Sequence, residues 1–262
     1  MSGADLSARA LLDRLVAFPT VSRDSNLALV DFVEDYLQGH GVAAHRVWSA
    51  DRTKAALYAN VGPVVPGGVV LSGHTDVVPV DGQDWSTDPF AVVERDGRLY
   101  GRGTVDMKGF DAIALAAVPT ALKADLKRPL QIALSYDEEI GCLGAPPMIE
   151  DMRGHLPPAA AAIIGEPSMM QAVTGHKGTF GYWVQFRGHE VHSSLLHQGV
   201  SAIMEAGRLI DWANRENAAN AAKPRSDIAA LFDPPWSTVH VGEIHGGTAH
   251  NITARDCRVQ IE

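Results

Sequence analysis

Apolar residues recur with two different spacings along the N-terminal part of this chain. A spacing of three to four residues predicts amphipathic helices, whereas short uninterrupted apolar runs predict strands buried on both faces of a sheet. The predicted helices are Leu6–Phe18, Asn26–Gln38, Met107–Leu122 (with its last turn kinked or shortened by Pro119) and Leu143–Met152, and the predicted strands are Ala43–Trp48, Ala55–Val61, Val69–Ser72, Pro129–Ser135 and Ala159–Gly165. This alternation indicates an α/β domain with helices on both faces of its sheet.

The pattern changes near residue 174. Segment 176–188, HKGTFGYWVQFRG, alternates like a strand with one solvated face, Val200–Asn217 has the spacing of an amphipathic helix, and two further strands are predicted within 237–251 and 257–262. Ala218–Ala229 is predicted to be a loop. This β-α-β-β order is typical of a split β-α-β module. We therefore predict two domains, covering residues 1–174 and 175–262.

Histidine and acidic residues follow the apolar runs where the strands of the first domain are predicted to end. The strings are VVLSGHTD, GRGTVDMKG, QIALSYDEE and AAIIGEP, and the residues are His74, Asp76, Asp106, Glu138, Glu139 and Glu166. Strands of an α/β sheet present such residues at its carboxyl edge, so the pattern predicts a metal site. One imidazole with several carboxylates is consistent with zinc, cobalt or manganese, and calcium fits an imidazole less well.

Each of these residues has a structural explanation when it is taken alone. His74 is then a hydrogen-bonded residue at a strand end, Asp106 caps the helix that follows it, and the Glu138–Glu139 pair forms a solvated acidic turn. Asp137 adds a third negative charge to that pair, which strengthens the expectation of a bound cation. The helix-cap explanation accounts for Asp106 but for none of the other positions.

Composition argues against several kinds of partner. The net charge is −9, from 22 Lys and Arg against 31 Asp and Glu, so nucleic-acid binding is not expected. No apolar run approaches the ~18 residues of a membrane-spanning helix, and the charged N-terminal segment does not fit a signal peptide. The two cysteines are far apart, which favours a reducing cytoplasm over a disulfide framework. We expect Cys142 to be a small buried residue beside the site and not a nucleophile.

Four strings, LSGHTDVVP, GRGTVDMKGF, SYDEEIGCLG and IIGEPS, resemble motifs of the M20 family of co-catalytic metallohydrolases. DMKGF, SYDEE followed by GCLG, and GHKG favour its acetylornithine deacetylase branch over the succinyl-diaminopimelate desuccinylases and the carboxypeptidases. The resemblance implies a zinc-peptidase-like catalytic domain over 1–174 with a central, mostly parallel sheet. It also implies an inserted α+β, ferredoxin-like lid and dimerisation domain, which is incomplete over 175–262.

The same resemblance implies a pair of metal ions, either zinc or cobalt. His74, Asp106 and Glu166 correspond to the ligands of one ion. Asp106 corresponds to a bridge to the second ion, which Glu139 also binds. Family chains continue past the segment matching 257–262 and supply a last histidine to that second ion, so the second site is expected to be incomplete here.

Four other residues receive roles from the resemblance. Asp76 corresponds to the carboxylate behind the metal-binding histidine, and Glu138 to the general base that takes a proton from water activated by the metals. His192, in GHEVHSS, resembles a lid histidine that stabilises the oxyanion in the partner subunit, which implies a homodimer through the lid. Asn251, in GGTAHN, resembles a substrate-binding residue. The alternatives are a surface histidine for His192 and a turn asparagine for Asn251.

Three functions follow from these expectations. The first is removal of the acetyl group from N2-acetyl-L-ornithine, which gives ornithine and acetate in arginine biosynthesis. The second is deacylation of another N-acyl amino acid or dipeptide, including succinyl-diaminopimelate. The third is a shortened, inactive chain that binds metal or another subunit, because the last histidine ligand is not found in the sequence.

Overall fold

The computed structural model describes residues 5–262, which form two compact units. The first unit extends to Gln171 and the second covers Ala172–Glu262. The boundary predicted between residues 174 and 175 lies a few residues further along the chain. The catalytic and lid roles assigned to the two domains stay predictions.

Most elements of the first unit lie within a few residues of their predicted bounds. The helices are α1 (Ala8–Val16), α2 (Leu27–Gly39), α3 (Lys108–Lys123) and α4 (Ala145–His155), and the strands are β1 (Ala44–Trp48), β2 (Ala55–Val61), β3 (Val69–His74), β4 (Val93–Arg95), β5 (Arg98–Tyr100), β6 (Leu130–Ser135) and β7 (Ala161–Ile164). The short hairpin of β4 and β5 was not predicted, because three-residue strands are too short to give a recognisable period.

Helix α3 departs from its prediction at Pro119. The helix passes through this proline and ends at Lys123, so the predicted shortening is wrong. Proline removes one hydrogen bond of the helix ladder. Leu115 and Val118 are nevertheless completely buried, and packing of this kind stabilises a helix beyond its local propensity.

The central sheet has the strand order β1-β2-β6-β3-β7. Strand β3 runs parallel to both of its neighbours, pairing His74 with Ser135 of β6 and Ser72 with Ile164 of β7. Strands β1 and β2 complete the sheet in antiparallel pairs. The carboxyl ends of β3, β6 and β7 therefore meet at one edge, as the predicted site requires.

Helices cover both faces of this sheet. On one face Leu57 and Ala59 of β2 pack in a core with α1, α2 and α3. On the other face Ala56 and Tyr58 pack in a second core with Met148 of α4. Successive side chains of β2 point to opposite faces of the sheet, so one strand contributes to both cores. The predicted α/β class is confirmed.

The second unit consists of a three-stranded antiparallel sheet and one long helix. Its elements are β8 (Tyr182–Arg187), α5 (Ala202–Ala222), β9 (Val241–Gly246) and β10 (Asp256–Ile261), with short 3-10 segments at Ser193–Gln198 and Ala229–Leu231. The strand order is β8-β10-β9, and α5 covers the face that carries Cys257 and Val259. The opposite face is polar, with Arg258 stacked on the ring of Trp183.

The predicted loop at 218–229 is wrong at its start, because α5 continues to Ala222. Residues 217–222 read NAANAA, and alanine favours helix until Pro224 prevents its continuation. Within residues 5–262, no helix combines the length and the apolar character needed to cross a bilayer.

Candidate metal centre

The acidic residues predicted at the strand ends converge on one histidine. His74 is the last residue of β3, Glu138 follows β6, Glu166 follows β7, and Asp106 precedes α3. His74 Nε2 lies 3.1 Å from Asp106 Oδ1, 3.7 Å from Glu166 Oε1 and 3.9 Å from Glu138 Oε2. Residues separated in sequence by up to 92 positions therefore meet at the carboxyl edge of the sheet.

Two overlapping groups of side chains could each hold a metal ion. One group is His74, Asp106 and Glu139, and the other is His74, Glu138 and Glu166; within each, the candidate ligand atoms lie within 4.8 Å of one another. Neither group is the predicted set of His74, Asp106 and Glu166, since one combines Asp106 with Glu139 and the other combines Glu138 with Glu166. All five side chains share one site, and their individual roles stay predictions.

The donor set fits a catalytic divalent metal. Imidazole and carboxylates are ligands that zinc and related ions accept. The His74 side chain is 1% exposed, whereas those of Asp106, Glu138 and Glu166 are 46%, 33% and 42% exposed. Because His74 is buried and the carboxylates are accessible to solvent, the site is open to water and to a substrate.

The ring of His74 is held in an orientation suitable for a ligand. Its Nδ1 lies 2.9 Å from the backbone carbonyl of Asp76 and 3.4 Å from the carboxylate of the same residue. A proton on Nδ1 would bond to Asp76 and leave Nε2 free to face the carboxylates. Burial alone lowers the pKa of His74, but the hydrogen bond to Asp76 and the nearby carboxylates outweigh it and raise the pKa to about 10.

Asp76 also accepts hydrogen bonds from two other segments, which the sequence did not predict. Its carboxylate accepts hydrogen bonds from the Ser22 hydroxyl at 2.7 Å and from the amides of Glu138 at 3.1 Å and Glu139 at 3.3 Å. Burial opposes its ionisation, yet the bonds from His74, Ser22 and the Glu138 amide lower its pKa. Asp76 thereby ties the loop after β6 to the end of β3.

Like charges crowd the open side of the site. Burial and the charge of Asp106 raise the pKa of Glu139 to about 7. Burial also raises the pKa of Glu166, against an opposing effect of His74. Carboxylates this close favour a cation between them.

Asp137 does not belong to this cluster, contrary to the reasoning from sequence. Its side chain is 11% exposed and pairs with the ammonium group of Lys54. The charge that was expected to strengthen the demand for a metal is therefore neutralised by a lysine 83 positions away. No local feature of the sequence signals this pairing.

Asp106 is not the helix cap that its alternative explanation requires. Met107 occupies the N-cap position of α3, and no side chain caps this end. Two buried charged residues of α3, Lys108 and Asp111, were missed. Burial lowers the pKa of Lys108 to about 7 and raises that of Asp111 to about 8. The only sequence signal was their position in an apolar helix.

The predicted burial of Cys142 is wrong, because its side chain is exposed. Its position beside the site is as expected, with Sγ 3.3 Å from Glu138 Oε1. A tight turn carries the cysteine outward, in which its own amide donates to the Glu138 carbonyl at 3.0 Å.

The two residues singled out in the second unit lie close to each other in that unit. His192 is exposed and its Nδ1 lies 2.9 Å from the Ser194 hydroxyl. The Asn251 carbonyl accepts a hydrogen bond from the Ser193 amide at 2.8 Å, next to a bridge between His192 and Ile252. Their predicted catalytic and substrate-binding roles stay predictions.

Comparison with known proteins decides the family. Residues 70–255 match the family model described as peptidase family M20/M25/M40. The chain belongs to this family. The M20 resemblance derived from four motifs is therefore confirmed, and the matched segment contains every residue predicted to act at the site.

One named relative of this M20 chain is similar to it over nearly its whole length. An acetylornithine deacetylase of Myxococcus xanthus is 40% identical over 260 residues, which cover 97% of this chain and 66% of the relative. The chain thus spans about two thirds of the length of that relative.

Two solved structures share the fold. Human carnosine dipeptidase 1 is similar with a TM-score of 0.67 at 18% identity, covering 97% of this chain and 68% of that protein. An M20 family metallo-carboxypeptidase from Sulfolobus solfataricus is similar with a TM-score of 0.70 at 17% identity. The likeness covers 97% of this chain and 70% of that protein. At these identities the likeness establishes the fold alone.

Proposed function

We propose that this M20 protein is a metal-dependent amide hydrolase that deacetylates N2-acetyl-L-ornithine. The observation that carries the proposal is the convergence of four carboxylates on His74 at the sheet edge. The 40% identity to an acetylornithine deacetylase supports the choice of substrate. Ornithine and acetate would be the products, in arginine biosynthesis.

The metal would be a pair of zinc or cobalt ions. His74, Asp106 and Glu166 would hold one ion, and Asp106 would also bind a second with Glu139. Bound there, the ions would supply Lewis acidity that polarises the amide carbonyl and acidifies water. The short distance between His74 and Asp106, 3.1 Å, supports the first group. The closeness of Asp106 and Glu139, whose ligand atoms lie within 4.8 Å of each other, supports the second.

Glu138 is proposed as the general base. Its carboxylate lies 3.9 Å from His74 Nε2 and is one-third exposed, so it can reach both the site and a water molecule. It would accept a proton from the attacking water and later donate it to the leaving amine, a role that contributes about 10²–10⁴-fold to the rate. The amide bonds to Asp76 fix the backbone from which Glu138 extends.

Glu138→Gln tests the base directly. We expect turnover to fall by about 100-fold or more while bound metal, measured by elemental analysis, is retained. Glu150→Gln, on the exposed face of α4, is the matched control. Unchanged turnover in Glu138→Gln would remove this residue from the mechanism.

The substrate can be tested separately from the chemistry. Purified protein with zinc or cobalt should hydrolyse N2-acetyl-L-ornithine faster than other N-acetyl amino acids, succinyl-diaminopimelate or dipeptides. Faster hydrolysis of one of those would leave the amide-hydrolase proposal standing and replace the substrate.

A homodimer through the second unit is the proposed assembly, in a reducing cytoplasm. Apolar side chains on α5 and the neighbouring 3-10 segment are exposed, including Leu195, Leu196, Ile203, Met204 and Trp212. Exposed apolar side chains of this size suit a protein interface. His192 would then donate a hydrogen bond to the oxyanion of the partner subunit, and Asn251 would bind polar groups of the substrate. Light scattering that finds only monomers would contradict this assembly.

A further inference from the structure

A buried ion pair lies behind the loop that carries two of the candidate metal-site carboxylates. Lys54 immediately precedes β2, and its ammonium group donates to the carboxylate of Asp137 and to the backbone carbonyl of Ser22. The side chains of Lys54 and Asp137 are 13% and 11% exposed. Removal of one partner would leave the other as a poorly solvated, unpaired charge.

Asp137 begins the turn from which the next two side chains extend. Its φ is +55°, in the left-handed region that non-glycine residues seldom adopt. Its carbonyl accepts a hydrogen bond from the Leu143 amide at 3.0 Å. The amides of Glu138 and Glu139 then donate to Asp76. The position of both glutamates thus depends on how Asp137 is held.

Ser22 joins the two groups that hold this loop. Its hydroxyl donates to Asp76 at 2.7 Å, and its carbonyl accepts from Lys54. Asp76 is also the residue that orients His74. A continuous set of hydrogen bonds therefore runs from Lys54 to the proposed metal ligand.

The ion pair also determines which carboxylates remain available to a cation. Asp137 lies in sequence beside Glu138 and Glu139, yet neither group of potential metal ligands includes it. Without the lysine, its carboxylate would be a third anion beside that pair. The loop would then reduce the repulsion by moving or by taking up a proton, and either change alters the carboxylates offered to a cation.

We propose that Lys54 is a positioning residue for the metal centre. By pairing with Asp137 it withholds that carboxylate from the metals and fixes the loop that presents Glu138 and Glu139. The inference rests on the proposed metal centre, but it concerns a lysine whose ammonium group bonds to Asp137 and Ser22 and is not among the candidate ligands.

Zinc binding by the metal-free protein tests the role without reference to any substrate. We expect Lys54→Met to weaken binding by about 10–100-fold, the usual effect of losing a group that orients metal ligands. Lys54→Arg keeps the charge and should restore most of the affinity. Lys127→Met, which removes an exposed lysine paired with Asp125, is the control and should bind zinc like the wild type.

A double-mutant cycle separates positioning from general stabilisation. Lys54→Met with Asp137→Asn removes both charges, so it should bind zinc more tightly than Lys54→Met alone. Thermal unfolding of each variant reports its stability independently. If Lys54→Met does not fold, Asp137→Asn and the double variant are compared with the wild type instead. Both should bind zinc more weakly than the wild type.

Three results would overturn the inference. Wild-type affinity in folded Lys54→Met or Asp137→Asn would show that the pair only stabilises the fold. Additive effects in the cycle would show that the two residues act separately. Absence of zinc binding by the wild-type protein would overturn the proposed metal centre itself, and with it this role for Lys54.

Discussion

The two units present their candidate histidines in opposite ways. His74 is 1% exposed, ends a central strand and faces carboxylates from three other segments. His192 is exposed, precedes a 3-10 segment and bonds to Ser194 two residues away. The first histidine belongs to a set of groups that already converge, whereas a catalytic role for the second requires groups from outside its own unit.

This difference follows from the sheets that carry the two residues. Parallel strands β3, β6 and β7 bring residues from distant parts of the chain to one edge. The sheet of the second unit is antiparallel, and His192 lies beside it on a connection. A metal site can thus form from the first unit alone, while the second unit presents exposed polar and apolar side chains.

The largest expected effect comes from His74→Ala. Loss of groups behind a ligand costs about 10–100-fold in metal affinity, so loss of the buried histidine itself should reduce zinc affinity by more than about 100-fold. Calorimetric titration of the metal-free protein measures this. His192→Ala should bind zinc like the wild type, and equal losses in both variants would remove the distinction between the two histidines.

His192→Ala should instead reduce turnover. Removal of one donor to a developing oxyanion costs about 10²–10³-fold in kcat, and we expect a loss near the lower end because His192 is exposed. His197→Ala, in the same 3-10 segment and also exposed, is the matched control. If both variants retain wild-type kcat, His192 is a surface residue.

Asp76→Asn should produce a smaller change that is confined to the first unit. The amide keeps the shape of the side chain but replaces one acceptor oxygen with a donor, which faces backbone amides or Ser22. We expect zinc affinity to fall by about 10–100-fold. Ser22→Ala, which removes one of the donors to Asp76, should have a weaker effect in the same direction. An unchanged affinity in Asp76→Asn would show that the loop after β6 is held without it.

The sequence predicts the members of the site better than their arrangement. Apolar runs mark the strands, and the parallel order of those strands explains why His74, Glu138 and Glu166 meet. Asp137 was misread because its partner Lys54 is remote in sequence. Charge counted along the chain cannot reveal which carboxylate is already paired, since that depends on tertiary contacts.

Local signals also fail where packing outweighs propensity. Pro119 was expected to kink or shorten the last turn of α3, but the helix continues to Lys123 because its neighbours are buried in the core. Lys108 and Asp111 occupy positions that the apolar pattern would assign to hydrophobic residues. A sequence pattern predicts hydrophobic residues at buried positions because burying a charge is costly. Lys108 and Asp111 are exceptions to this rule.

The smallest predicted effect is a dependence of stability on pH in the metal-free protein. The pKa of Glu139 rises from 4.5 to about 7, and that of His74 from 6.5 to about 10. Asp111, whose pKa is raised to about 8, acts in the same direction. The folded state therefore binds more protons than the unfolded state as pH rises from 5 to 8, and the free energy of unfolding falls over that range. Above about pH 8 the lowered pKa of Lys108 opposes the effect of His74. Asp76, whose pKa is lowered, contributes stability that is constant over this range.

Thermal unfolding of the metal-free protein should show a midpoint that falls with pH by an amount on the order of a few degrees. Zinc should oppose this trend, because its binding displaces the same protons and tightens with rising pH. Glu139→Gln should make the profile less steep below pH 7, where Asp111 still contributes, and should leave the part above pH 7 unchanged. A midpoint that rises with pH would mean that the crowded carboxylates stay ionised without metal. Repulsion between the carboxylates would then not explain why this sheet edge should bind a cation. The contrast between the His74 site and the second unit would rest on geometry alone.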